Sequence, residues 1–510
     1  MTATSNMDDN TKVEEKDNRS SLSEEEQQKA QEEVRKVLQW SKPPIASLES
    51  SVVFTHMTKL NLPDCNLSAL PKGMPESLPN LSILFCPKNK FTELPAIVGS
   101  FPKLQMVGFK SNCLKSIHPD ALQSQMRWLI LTDNALESIP STIGRCKILQ
   151  KLMLSGNKLK TLPKEISKCT NLELVRLASN QLQHPPMELL QLPKLSWIAL
   201  SANPFLNTIS HDDDQTQQMT LLQDPNLEDV EHGQVLGTGA SGITKQVTYK
   251  GTPVAVKHYF GEMTSDGDPK EERQISLVAS SLKSPSLIQV LGQTAKGSLV
   301  MELLQNVTAL ADPPSMESCS RDVYPAEVTV SDKEATTMVT NLLNVLEGLH
   351  AKGICHGDFY GHNILVSPQD KSNVKLSDFG AAWFYDTSAP YGQWVEKIEM
   401  KAFAHFVEEI CVLLDKTHNN NTKETDTTAK DDDENQTKAI TETSVTAIPS
   451  SSSSLLDLRK KRLQILAEKC YCESSFSKLV QLWSTELSSS IRSSRNNPEE
   501  QSATKRPKIS

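Results

Sequence analysis

The sequence predicts a multidomain chain: an α/β repeat solenoid, then a second globular domain of strands and helices, bounded and interrupted by segments that cannot bury a core. Three observations predict it. Residues 57–206 repeat a Leu-rich pattern with a step of 22 to 24 residues. Residues 227–487 carry a glycine loop, a strand ending in Lys, an Asp…Asn loop and an Asp-Phe-Gly, in that order. Hydrophobic residues make up only 37% of the 510 positions, which leaves long polar runs outside these two regions.

The repeats are read from lines such as LILTDNALESIP, LMLSGNKLKTLP, VRLASNQLQHPP and IALSANPF. They follow L-x-x-L-x-L-x-x-N-x-L, the leucine-rich repeat. Its Asn place is filled by Cys65, Asn89, Asn112, Asn134, Asn157, Asn180 and Asn203, so seven units are expected. Each unit begins with a short strand whose alternate residues (Leu129 and Leu131, Leu152 and Leu154) enter a stacked core. The Asn turns the chain and satisfies backbone groups at the bend. The same register places Ile83, Phe85, Met106, Gly108, Trp128, Ile130, Lys151, Met153, Leu174, Arg176, Trp197 and Ala199 outward on the concave face. An apolar face of this size is normally covered. A protein partner and the chain's own second domain are equally expected there, with Phe85, Trp128 and Trp197 as anchors.

The second region opens with VLGTGASGITKQVTYKGTPVAVKHY. Gly237, Gly239 and Gly242 form G-x-G-x-x-G, a weak signal alone. Here it leads into a hairpin and a third strand, where a dinucleotide fold would open a helix. Glycines at a hairpin tip let backbone amides approach phosphate oxygens, and Lys257, fifteen residues after the last Gly, adds a point charge. A helix and strand follow (KEERQISLVASSLKSPSLIQVLG), then the apolar strand GSLVMELL, the helix LLNVLEGLHAKGI, the loop CHGDFYGHNIL and VKLSDFG.

These five ordered motifs, over about 190 residues, resemble eukaryotic protein kinases. The form HGDFYGHN with LSDFGAAWFY looks like an atypical group that joins leucine-rich repeats to a kinase domain. The fold class expected is therefore a leucine-rich repeat solenoid followed by an α+β bilobal kinase-like domain. The resemblance implies ATP and Mg2+ as cofactors. It implies that Lys257 binds the α- and β-phosphates, with Gly237, Gly239 and Gly242 over them and Glu272 as the partner of Lys257. Met301, Glu302 and Leu304 would border the adenine. Asp378 and Asn363 would hold magnesium, and Asp358 would take or orient the proton of the attacking hydroxyl. Glu271 and Gln274 compete with Glu272 for the ion pair.

Several positions depart from the kinase pattern. Gly357 replaces an Arg, Tyr360 stands where serine/threonine kinases carry a Lys, and His362 precedes the Asn. No A-P-E follows Asp378, and Glu399, 21 residues on, looks like the Asp of the D-x-W-x-x-G helix. No Arg precedes Phe476. The peptide platform is thus expected to be short. Loss of the Lys removes one transition-state charge unless another residue replaces it. The function expected is phosphoryl transfer to a protein hydroxyl, Ser or Thr favoured over Tyr, targeted by the repeats. The alternative is a nucleotide-binding pseudokinase scaffold or adaptor.

The remaining segments are read by composition. Residues 1–30 are charged and expected to be disordered; 31–56 hold a short helix and cap around Val34, Val37, Leu38 and Trp40. Residues 207–226 read as an acidic linker, 416–456 as a low-complexity insert, and 488–510 as a disordered basic tail. The net charge of −9 argues against nucleic acid as main partner, and no run approaches eighteen apolar residues, so no membrane partner is expected. Ten cysteines without a framework spacing read as reduced thiols. A cytoplasmic protein is expected; Lys505, Arg506 and Lys508 would direct a fraction to the nucleus, unless they are merely a solvated tail.

Overall fold

The computed structural model describes residues 54–207, 221–228, 233–239, 241–261, 264, 266–427 and 451–495. The helix expected over 31–41, the acidic run of the linker and the basic cluster of the tail lie outside them.

Seven strands form one parallel sheet in chain order: β1 (Lys59–Asn61), β2 (Ile83–Phe85), β3 (Met106–Gly108), β4 (Trp128–Ile130), β5 (Lys151–Met153), β6 (Leu174–Arg176) and β7 (Trp197–Ala199). Each repeat supplies one strand, and the central residues Leu84, Val107, Leu129, Leu152 and Val175 stack in register into the core. The Asn ladder works as the pattern requires. Asn157 accepts from Leu136 N at 3.0 Å and donates to Leu131 O at 3.0 Å and Leu154 O at 2.8 Å. Asn180 and Asn203 repeat this one turn on. The residue before each Asn turns through the left-handed region, for example Asp133 at φ 58° and Ser179 at φ 54°. That costs a non-glycine residue roughly 1–2 kcal/mol, which the Asn hydrogen bonds offset.

The second domain opens with an antiparallel sheet in the order β8-β9-β10-β12-β11: β8 (Gln234–Thr238), β9 (Gly242–Tyr249), β10 (Thr252–Tyr259), β11 (Val290–Gln293) and β12 (Leu299–Glu302). The two-residue period of β10 decides its faces. Val254 and Val256 pack on Leu222 and Leu227, whereas Ala255 and Lys257 face a cavity. Leu222 thus belongs to this lobe, although the sequence reading kept residues through 226 in the linker. Two apolar residues among polar ones gave no periodic signal. Helix α1 (Pro269–Ser280) starts where Asp268 accepts from Lys270 N at 2.8 Å, with Pro269 in its first turn. Its buried residues Glu272, Ile275, Ser276 and Ala279 share one face.

The larger lobe is built on α2 (Asp332–Ala351), opened by a capping box between Ser331 and Glu334. The short strand pair β13 (Ile354–Cys355) and β16 (Trp383–Phe384) flanks the hairpin of β14 (Ile364–Val366) and β15 (Val374–Leu376). Helices α3 (Gly392–Thr427), α4 (Ser451–Cys472) and α5 (Phe476–Arg495) complete it. Helix α3 runs into the expected insert, α4 begins inside it, and α5 runs into the expected tail. Extending an existing helix through polar residues costs little per residue, so composition did not mark these ends.

The two domains share their cores. Leu174 and Trp197 of the repeats pack with the larger lobe, and Cys355, Trp383, Tyr385, Tyr391, Val395 and Ile398 pack with the repeat core.

Candidate active site

Lys257 Nζ lies 2.5 Å from Glu272 Oε1 and 3.4 Å from Asp378 Oδ1. Of the three candidates for the ion pair, the helix register of α1 brings Glu272; Glu271 instead accepts from Ala202 N of the repeat domain at 2.8 Å. Burial works against the Lys257 ammonium, but Asp378 and Glu272 hold its pKa above the ordinary value. The Lys257 charge beside Asp378 holds that carboxyl below its usual range, against burial. Asp378 itself sits in the left-handed region at φ 54°. These residues border a cavity of about 480 Å³, also lined by Leu236, Gly237, Ala255, Met301, Glu302, Leu304 and Phe379. That is the size class of a small-ligand site. Gly239 and Gly242 are not among its lining residues. A Cβ at Gly239 would meet nothing, whereas one at Gly242 would lie 2.1 Å from His258 O, so Gly242 is needed for strand packing. The Glu302 carboxylate is taken by Lys375 Nζ at 2.6 Å and Gln289 N at 2.8 Å, and its backbone N donates to Gln289 O at 2.9 Å.

The loop from His356 to Asn363 follows β13. Asn363 Nδ2 donates to Asp358 O at 2.9 Å and Asp358 Oδ2 at 3.0 Å, and Ser377 N donates to Asn363 O at 2.9 Å, which ties the loop to the strand before Asp378. Glu399 anchors the loop from below. It accepts from His356 N at 3.0 Å and Gly357 N at 2.7 Å, and bonds His350 Nε2 at 2.7 Å. Burial opposes its charge, yet the His350 contact and the backbone donors hold its carboxyl below the usual value.

A second set of contacts comes from the repeat domain. Arg176 Nη2 donates to Asp358 Oδ1, Nη1 to Gly357 O at 3.1 Å, and Nε to Asp266 Oδ1 at 3.2 Å. Trp197 Nε1 donates to Phe359 O at 2.9 Å, and its ring stacks on Tyr360 with centroids 4.3 Å apart at 7°. Trp383 Nε1, beyond Asp378, donates to Ile198 O at 3.0 Å. Farther along the concave face, Trp128 donates to Cys319 Sγ, which sits among Ile83, Met106 and Trp128, with Phe85 packed against them. Gly357 has φ 72°, and a Cβ there would lie 2.6 Å from both Ile198 O and Ala381 O. Sequence reasoning missed Arg176 as a site residue. The signal available was one guanidinium, with Lys151, in an otherwise apolar outward row.

The protein kinase domain model matches residues 230–405, and a leucine-rich repeat model matches residues 124–182. The chain therefore holds leucine-rich repeats followed by a protein kinase domain. It is similar to a probable myosin light chain kinase of Dictyostelium discoideum, 27% identical over 172 residues, 32% of this chain and 41% of that relative. It is also similar to the proto-oncogene serine/threonine-protein kinase mos of Sus scrofa, 28% identical over 165 residues, 29% of this chain and 46% of the relative. The match thus spans less than half of either relative. A solved leucine-rich repeat protein of Leptospira interrogans matches with a TM-score of 0.28 and 34% identity, over 29% of this chain and 38% of that one.

Proposed function

We propose that the chain is an ATP- and magnesium-dependent protein kinase that transfers the γ-phosphoryl group to a protein hydroxyl, Ser or Thr by preference. The observation that carries this reading is the assembled charge set: Lys257 between Glu272 and Asp378, at 2.5 Å and 3.4 Å, with Asn363 bonded to Asp358. Lys257 binds the α- and β-phosphates from the wall of the cavity. Gly237 at its rim lets the backbone come close to them. Asp378 and the amide oxygen of Asn363 are hard oxygen donors suited to magnesium, which supplies charge neutralisation across the phosphates when bound. Asp358 orients the acceptor hydroxyl and takes its proton as the oxygen attacks phosphorus. Glu399 and Asn363 keep that carboxylate in place.

Burial of Trp128 and Trp197 against the kinase domain supports the chain's own second domain, over a separate partner, as the cover of the concave face. Targeting by the repeats then falls to their other surfaces. The rival is a nucleotide-binding scaffold, favoured by how much of the loop lies under the repeats. A cytoplasmic location is part of the proposal.

The test uses full-length protein, ATP labelled at the γ-phosphate, and Asp358→Asn. Wild type should transfer label to itself or to a general protein substrate. The variant should lose roughly 10²–10⁴-fold of that rate, the usual contribution of a positioned base, while keeping the thermal shift given by MgATP. Equal transfer by both proteins would refute the role of Asp358. No transfer by either, with a normal shift, would establish the scaffold.

A further inference from the structure

We infer that Arg176, a residue of the repeat domain, is a positioning residue for phosphoryl transfer: it supplies the cation that the catalytic loop itself lacks and holds Asp358 in its working orientation. The inference rests on the kinase reading above and assigns the repeat domain a part in the chemistry.

Four observations converge on it. The loop His356-Gly-Asp-Phe-Tyr-Gly-His-Asn363 contains no Lys or Arg, so Asp358 has no cationic partner within its own segment. Among the described residues, Arg176 is the ion-pair partner of Asp358. Arg176 is only 2% exposed, and all three guanidinium nitrogens are used, on Asp358, Gly357 O and Asp266. A guanidinium fixes a carboxylate by direction as well as charge, which a mobile ammonium does not.

The surrounding residues fit this approach. Position 357 has no room for a side chain, since a Cβ would meet Ile198 O and Ala381 O at 2.6 Å. Tyr360, two residues after Asp358, stacks on Trp197, so that place is committed to the domain junction. Asp358 is therefore held from two sides, Oδ1 by Arg176 and Oδ2 by Asn363. The proton of the acceptor hydroxyl passes to this carboxylate, the acceptor oxygen bonds to the γ-phosphorus, and the bond to the β–γ bridging oxygen breaks with ADP leaving. Arg176 takes no atom in the step. It acts through Asp358.

A bland salt bridge between domains would give the same distances, so the test separates charge and orientation from mere cohesion. Full-length wild type, Arg176→Gln and Arg176→Lys are compared in steady-state transfer, with melting curves and MgATP thermal shifts on each. Arg176→Gln should lower kcat about 100-fold, the scale of a misplaced catalytic group. Its KM for ATP should stay within about threefold, because Arg176 touches no nucleotide-binding residue. Arg176→Lys should recover at least about tenfold of the loss. A kcat for Arg176→Gln within about threefold of wild type, or above it, overturns the inference, as does an equal loss in both variants. If Arg176→Gln gives no cooperative melt, Arg176→Lys decides: transfer within about thirtyfold of wild type supports the inference, and a greater loss in a folded protein overturns it. A wild type with no transfer above Asp358→Asn overturns the kinase reading, and this inference with it. In every other outcome wild type is active, so the two failures are distinguishable.

Discussion

Replacing Gly357 by Arg, the residue common at this place in kinases, is expected to unfold the junction between the two domains. Gly357 sits at φ 72°, where a side chain costs roughly 1–2 kcal/mol. The new Cβ would also lie 2.6 Å from the backbone oxygens of Ile198 and Ala381, and neither strand-end can yield without moving Trp197 or Trp383. Overpacking of this kind adds about 1–3 kcal/mol. A total near 3 kcal/mol or more is a large share of ordinary domain stability. Gly357→Ala isolates the backbone and Cβ terms, and should account for most of the loss. Urea unfolding of the full chain measures both. Wild-type stability in Gly357→Ala would mean that the repeat domain does not close over the loop.

Asp378→Asn is expected to remove metal-dependent nucleotide binding itself. Asp378 lines the cavity, its carboxyl is kept charged by Lys257, and its hydrogen bond from Gly380 N at 3.1 Å fixes its orientation. Neutralising it removes the proposed magnesium ligand and leaves Glu272 as the carboxylate partner of Lys257. The loss of several kcal/mol of metal-assisted charge stabilisation corresponds to about 10³-fold in transfer. The MgATP thermal shift should shrink to that given by ATP with a chelator. This differs from Asp358→Asn, where transfer fails and the shift survives. An unchanged, magnesium-dependent shift in Asp378→Asn would remove Asp378 from the metal site.

Much of this architecture is legible in the sequence because it rests on periodic patterns. The Leu and Asn positions of the repeats and the alternation around Lys257 each repeat a simple rule, and the structure follows them. The choice of Glu272 over Glu271 needed only the face of α1, set by Ile275 and Ala279. The junction was not legible in the same way. An apolar concave row containing Trp128 and Trp197 reads alike whether a partner or the chain's own domain covers it. Gly357 read as a lost Arg, because a positive φ and two nearby carbonyls leave no mark in one sequence. Arg176 was visible as an outward residue, but its partners lie 90 and 182 positions away. Helix ends in polar sequence, such as Thr427 in α3, were hidden for a different reason: propagation needs no apolar face.

Differential scanning calorimetry of the full chain, with and without MgATP, tests most directly whether repeats and kinase domain form one catalytic unit. Shared cores through Trp197, Trp383 and Tyr391, and the Arg176–Asp358 pair, predict one cooperative transition. Nucleotide binding to the native state alone should raise that whole transition, by about 2.7 kcal/mol at a hundredfold excess over Kd. Two transitions, with only one moved by MgATP, would contradict the account.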